Sequence, residues 1–188
     1  MANKKEIEIK LRIDDTKFYT GLISKMKSMC TEVEHVHQHD VYYSPATEDY
    51  MDESYPYKWL RLRYFNDGGA EICFKHFFPE GAEHHVYCNE YQSRISDPEA
   101  LVNIFSELQL QEVANVKKTR TTYAYDRYLI SFDDVENLGN FVEIEVKNVI
   151  FDELRERKLL DEMLEKLGLL ECPIDLRGYP YLIYHDLK

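Results

Sequence analysis

Along most of this chain apolar residues recur at every second position, and in a few stretches at every third or fourth. Alternation places successive side chains on opposite faces of a strand, whereas the longer period gathers them on one face of a helix. Residues 6–10, Glu6-Ile7-Glu8-Ile9-Lys10, are charged on one face and apolar on the other, and residues 143–147, Glu143-Ile144-Glu145-Val146-Lys147, nearly repeat them. Between these copies the alternation predicts strands over residues 35–43, 58–65, 70–78, 84–94 and 118–128, and another through Leu129, Ser131 and Asp133. Asn66-Asp67-Gly68-Gly69 reads as a hairpin turn, since no Lys-Ser/Thr follows to make it a phosphate loop, and Asn137-Leu138-Gly139-Asn140 reads as a second turn.

Helical spacing predicts three longer helices. Asp14 or Asp15 caps one that runs to about Cys30, with Phe18, Leu22, Met26 and Met29 as its apolar stripe. Ser96-Asp97-Pro98-Glu99 has capping-box spacing and begins the second, which turns Leu101, Ile104, Phe105 and Leu108 inward. The third covers residues 151–167, with Leu154, Leu160, Met163, Leu164 and Leu167 inside and Gly168 just past its end. A short helix is predicted from Pro180. Strand, helix and strands follow one another about twice, so two related halves are expected.

Composition narrows the picture. A length of 188 residues with no Pro/Gly/Ser-rich divider predicts a single domain over residues 1–188. Hydrophobic residues make up 44% and aromatics 13%, more apolar area than disordered chains carry. The formal net charge of -12 repels phosphates over most of the surface, which excludes general nucleic-acid binding and requires any basic site to be a local concentration. Residues 1–5 are polar, with no apolar run for a signal peptide or span, so a cytoplasmic location and no membrane partner are expected. Cys30, Cys73, Cys88 and Cys172 form no Cys-x-x-Cys pair, which argues for reduced thiols.

The candidate chemistry lies on the charged strand faces. These collect the acids Glu6, Glu8, Asp133, Glu143 and Glu145 and the bases Lys10, Arg61, Arg63, Lys75, Lys118 and Arg120. Turned inward, such faces require charges to pair, to bind ions or to stay hydrated; a polyphosphate would satisfy the bases and a hard divalent cation the acids. Turned outward, they would be solvated faces with cross-strand ion pairs. Periodicity alone leaves these two readings even. His35, His37 and His39 also alternate on one face; a row of exposed side chains is the commoner reading there, a transition-metal site the rarer one.

Six ordered elements carry a resemblance: Glu6-x-Glu8-x-Lys10, Leu60-Arg61-Leu62-Arg63, Lys75, Lys118-x-Arg120, Asp133, and Leu138-Gly139-x-Phe141-x-Glu143-x-Glu145. Together they resemble the CYTH superfamily, the triphosphate tunnel metalloenzymes. The resemblance implies an α+β fold, an eight-stranded antiparallel β-barrel forming a tunnel with helices outside. It also implies Mg2+ or Mn2+ held by Glu6, Glu8, Asp133, Glu143 and Glu145, and a triphosphate held by Lys10, Arg61, Arg63, Lys75, Lys118 and Arg120. Glu8, Lys10 and Asp133 are the implied catalytic residues. The motif spacing is similar to class IV adenylyl cyclases, which implies conversion of ATP to cyclic AMP and pyrophosphate. Inorganic or thiamine triphosphatase activity releasing orthophosphate is the alternative, on tripolyphosphate or thiamine triphosphate, and a polyphosphate-binding module without catalysis is a third. Cys88 stands where many relatives have Arg, which leaves Glu90, two positions on, only a candidate. A homodimer is compatible with this reading.

Overall fold

The computed structural model describes residues 7–83, 85, 87–147 and 152–186. Eight strands and four helices follow in the order β1 (Glu8–Ile13), α1 (Thr16–Met29), β2 (Thr31–Pro45), β3 (Lys58–Tyr64), β4 (Ala70–Phe78), β5 (Tyr87–Ile95), α2 (Pro98–Glu107), β6 (Leu110–Tyr125), β7 (Tyr128–Val135), β8 (Gly139–Val146), α3 (Glu153–Leu167) and α4 (Tyr179–Asp186). The hydrogen-bonding order is β1, β8, β7, β6, β2, β3, β4, β5, which makes β1 and β5 the edges of an eight-stranded antiparallel sheet. Among the described residues hydrogen bonds do not close that sheet into the expected barrel.

The order strand, helix, three strands occurs twice, as β1 to β4 and as β5 to β8. The first strand of each half pairs with the last strand of the other, β1 with β8 and β5 with β4. The two nearly identical pentapeptides are therefore neighbours, antiparallel, with Glu8 opposite Glu145 and Lys10 opposite Glu143. Lys75 opposite Glu90 is the counterpart on β4 and β5.

Two compact units can be distinguished, one from residues 38–117 and 177–186, the other from residues 7–37 and 118–176. In the second unit Ile7, Leu11 and Ile13 join Ile130, Phe132, Val142, Ile144 and Val146 on one sheet face, against Leu22 and Met26 of α1 and Leu160, Met163, Leu164 and Leu167 of α3. In the first, Val41, Tyr43 and Leu62 pack with Phe105 and Leu101 of α2. Alternation sends the charged residues of these same strands to the other face.

Several expectations need correcting. Asp97, not Ser96, caps α2 and accepts from the Ala100 backbone amide, and Asp15 rather than Asp14 caps α1. Leu154 is 81% exposed, and Met29, Ile104 and Leu108 are also exposed; each sits near a helix end, where the buried stripe runs off the sheet. Tyr19 takes an inward place on α1 that the apolar count had not assigned. Phe151, the predicted start of the third helix, lies outside the described residues, and Asp152 caps α3. Gly168 ends α3 in the left-handed conformation, as its position predicts. β6 starts eight residues before the predicted Lys118, because exposed Gln111, Glu112, Asn115 and Lys117 blur the alternation there.

Candidate functional site

Within the second unit part of the charged face is withdrawn from water, although Glu8 at its edge is exposed. Asp133 is fully buried, and Lys10 and Lys118 are only 7% and 9% exposed, so the outward-facing reading of these residues is wrong. The register explains the clustering: Arg120 lies directly opposite Asp133 across β6 and β7, while Lys10 lies opposite Glu143 across β1 and β8. Asp133 accepts from Lys118 Nζ at 2.8 Å and Arg120 Nε at 2.6 Å, and Arg120 also uses its Nη2 to bridge Asp133 and Glu143. Ser131 and Thr122, both buried, share a 3.0 Å hydroxyl hydrogen bond beside them.

The electrostatics follow from burial. Removal from water opposes the charged form of Asp133, but the hydrogen bonds and charge of Arg120, with Lys118, outweigh it and hold its carboxyl well below the usual range. Glu143 is likewise held low, burial opposing and Arg120 prevailing. For Lys118 burial dominates, reinforced by the charge of Arg120, and its pKa is lowered. Lys10 is lowered by burial as well, even though Glu143, Asp175 and Glu8 all favour its charge. Additional negative charge beside either lysine would favour its charged form.

The first unit carries a second charged face. Arg63 grips Asp40 with two bonds of 2.6 and 2.7 Å, and Asp40 is buried. Arg61 reaches Glu71 at 3.4 Å and hydrogen-bonds the Tyr42 phenol, whose pKa is pushed up to about 12 by burial and by Asp40. The Nε of Arg61 is buried without a hydrogen-bond partner among the described residues. Glu90 accepts from the Cys73 thiol at 3.3 Å and lies 3.8 Å from Lys75 Nζ, while burial pushes the Cys73 pKa up to about 12. Alternation puts Glu71 on one face with Cys73 and Lys75, whereas Asp40 and Tyr42 are absent from the sequence candidates. Their signal was parity with Arg61 and Arg63 once β2, β3 and β4 are set in register.

The acid set behaves unevenly as a cation site. Glu6 lies outside the described residues. Glu8 and Glu145 stand directly opposite on β1 and β8, a like-charge juxtaposition that a cation would relieve, with Glu143 on the same face of β8. Both Asp133 oxygens, in contrast, are already engaged by Lys118 and Arg120. No group of three or more His, Cys, Asp or Glu is poised around a metal position among the described residues. Oxygen donors of this kind suit Mg2+ or Mn2+.

Eight antiparallel strands with helices packed on the sheet place the chain among the α+β proteins built on one large antiparallel sheet. The CYTH domain family matches residues 4–179, and this chain belongs to that family. It is 30% identical over 171 residues to a Methanocaldococcus jannaschii protein named as a candidate adenylate cyclase, covering 90% of this chain and 91% of the relative. The solved structure of the PH1012 protein from Pyrococcus horikoshii superposes with a TM-score of 0.72 at 24% identity, covering 94% of this chain and 98% of that one. A Vibrio parahaemolyticus structure described as a candidate adenylate cyclase gives a TM-score of 0.67 at 15% identity, over 97% and 99% of the two chains. Among the described residues no helix is long and apolar enough to cross a membrane.

Proposed function

We propose that this protein is a metal-dependent enzyme acting on a triphosphate substrate, and that its reaction is that of a class IV adenylyl cyclase, ATP to cyclic AMP and pyrophosphate. The observation that carries the reading is the buried Lys10–Glu143–Arg120–Asp133–Lys118 cluster. Its two lysines are buried, burial is the largest influence opposing their charge, and a polyanion would favour the charged form of each. The name of the Methanocaldococcus jannaschii relative supports the cyclase form.

Phosphoryl transfer requires positioning and neutralisation of charge on the phosphate oxygens. Lys10, Lys118 and Arg120 would supply the neutralising cations, and the family resemblance implies phosphate-binding roles for Arg61, Arg63 and Lys75 as well. Asp133 orients Lys118 and Arg120 through its three hydrogen bonds and so fixes where their remaining donors point. Glu8, Glu143 and Glu145, with Glu6, would hold the metal, which when bound shields phosphate oxygens and acidifies the attacking hydroxyl. In the cyclase reaction the ribose 3′-oxygen bonds to the α-phosphorus, the bond from that phosphorus to the bridging oxygen breaks, and pyrophosphate leaves.

Product analysis tests this. Purified protein is incubated with ATP, tripolyphosphate or thiamine triphosphate, with Mg2+ or Mn2+, and products are followed by phosphorus NMR and chromatography. Cyclic AMP with pyrophosphate is expected from ATP. Orthophosphate alone would replace the cyclase with a phosphohydrolase, and saturable binding without products would overturn catalysis.

A further inference from the structure

We propose that His35 and His37 on β2 form a two-imidazole site for a transition-metal ion such as Cu2+, Ni2+ or Zn2+. The two residues have opposite parity to Asp40 and Tyr42, so on a regular strand they face away from the charged side chains described above. Both are exposed.

Their rings are oriented by β6. His35 Nδ1 is 2.9 Å from Thr121 Oγ1, and His37 Nδ1 is 2.9 Å from Thr119 Oγ1. Ligating histidines commonly have the second ring nitrogen fixed in this way, which sets the tautomer and the ring plane. In the tautomer in which each Nδ1–H donates to its threonine hydroxyl, the lone pair available to a metal lies on Nε2 of both rings. The ring centroids are 5.9 Å apart with planes at 73°. A metal about 2.0 Å from each Nε2 in tetrahedral geometry would place two such centroids roughly 5.2 Å apart, a separation close to the one observed, with rotation of these exposed rings needed to turn both Nε2 atoms to one ion. Water would fill the remaining positions.

His39, next in the alternation, is engaged differently. Its Nε2 is 3.0 Å from Asn115 Oδ1 and its ring stacks on Tyr64 at 5.3 Å, so the nitrogen that the other two would offer is already used. The three-histidine row of the sequence therefore reduces to a pair. Imidazole donors select borderline transition metals, with Cu2+ bound most tightly, whereas Mg2+ and Mn2+ prefer carboxylate oxygens. The site is distinguishable from any carboxylate site by that preference.

The test is a titration of the full chain with Cu2+, and separately Zn2+, in excess Mg2+, by calorimetry and by loss of imidazole NMR signals near the paramagnetic Cu2+. One equivalent is expected to bind, with the His35 and His37 ring signals lost first. His35→Asn and His37→Asn should each weaken binding about tenfold or more, and Thr119→Val with Thr121→Val about tenfold by releasing the rings. His39→Asn should bind as the wild type does. Unchanged affinity in the His35→Asn/His37→Asn double variant would overturn the site, as would equal affinity in the wild type and both single variants. Identical circular dichroism and melting across the set confirm that these substitutions leave the fold intact.

Discussion

Asp133 is fully buried and holds two cations, Lys118 and Arg120. Asp133→Asn removes the anion but leaves Lys118 and Arg120 in place, and a loss of about 3–5 kcal/mol in unfolding free energy is expected from denaturant titration. The pH dependence has a defined sign. Asp133 is held below the ordinary carboxylate value of about 3.9, so its contribution is complete above that value and is lost as pH falls through its lower folded value. Acid titration of the wild type should show this loss, and Asp133→Asn should be flatter over the same window. Lys10 and Lys118 have linkage of the same sign, in the alkaline range. Because burial lowers both, the unfolded chain binds more protons between their folded values and about 10.4, and they favour folding more as pH rises through that interval. A triphosphate that pairs with them raises their pKa, so its binding should take up protons at alkaline pH. Calorimetry in buffers of different ionisation enthalpy measures that uptake, and its absence would detach the lysines from the ligand.

At the scale of elements, the alternation located the strands and the helical period located the helices, since each reports a face turned toward a core. Helix starts were less legible. Ser96-x-x-Glu99 and Asp97 next to it offered two caps, and only the backbone geometry selects Asp97, whose side chain meets the Ala100 amide at 3.0 Å. Asp97→Ala should therefore cost about 1 kcal/mol and Ser96→Ala little, a difference readable from melting midpoints. Gly168, at φ 77°, should lose roughly 1–2 kcal/mol on replacement by Ala, because a Cβ strains the left-handed conformation. Cross-strand pairing was the part the sequence concealed. The two Glu-Ile-Glu segments could have been distant walls, yet they are adjacent strands, and Lys10 owes its burial beside Glu143 to that register. Asp40 escaped notice for the same reason: its partner Arg63 lies 23 positions away and is reached only by pairing β2 with β3.

On the scale of the whole molecule, β2 and β6 each contribute residues to both compact units. Long strands that belong to two units resist separate melting, so a single cooperative transition is expected, consistent with one domain. Trp59, the sole tryptophan, reports on the first unit, and far-ultraviolet circular dichroism reports on all elements. The two curves should coincide in urea; separated midpoints would show independent units. The bases and acids were visible in the sequence by alternation, whereas their burial was not, because period two describes a sheet face without saying what lies beyond it. On the proposed function, the burial of Lys10, Lys118 and Asp133 is what would let internal pairs be exchanged for a ligand. The measurement that bears most directly on the account is the initial rate of ATP consumption by wild type and Glu8→Ala, with Mg2+ or Mn2+ and again after chelation. Wild-type turnover that requires metal and is abolished by Glu8→Ala is the predicted result, and full activity in Glu8→Ala, or undiminished turnover after chelation, would contradict it.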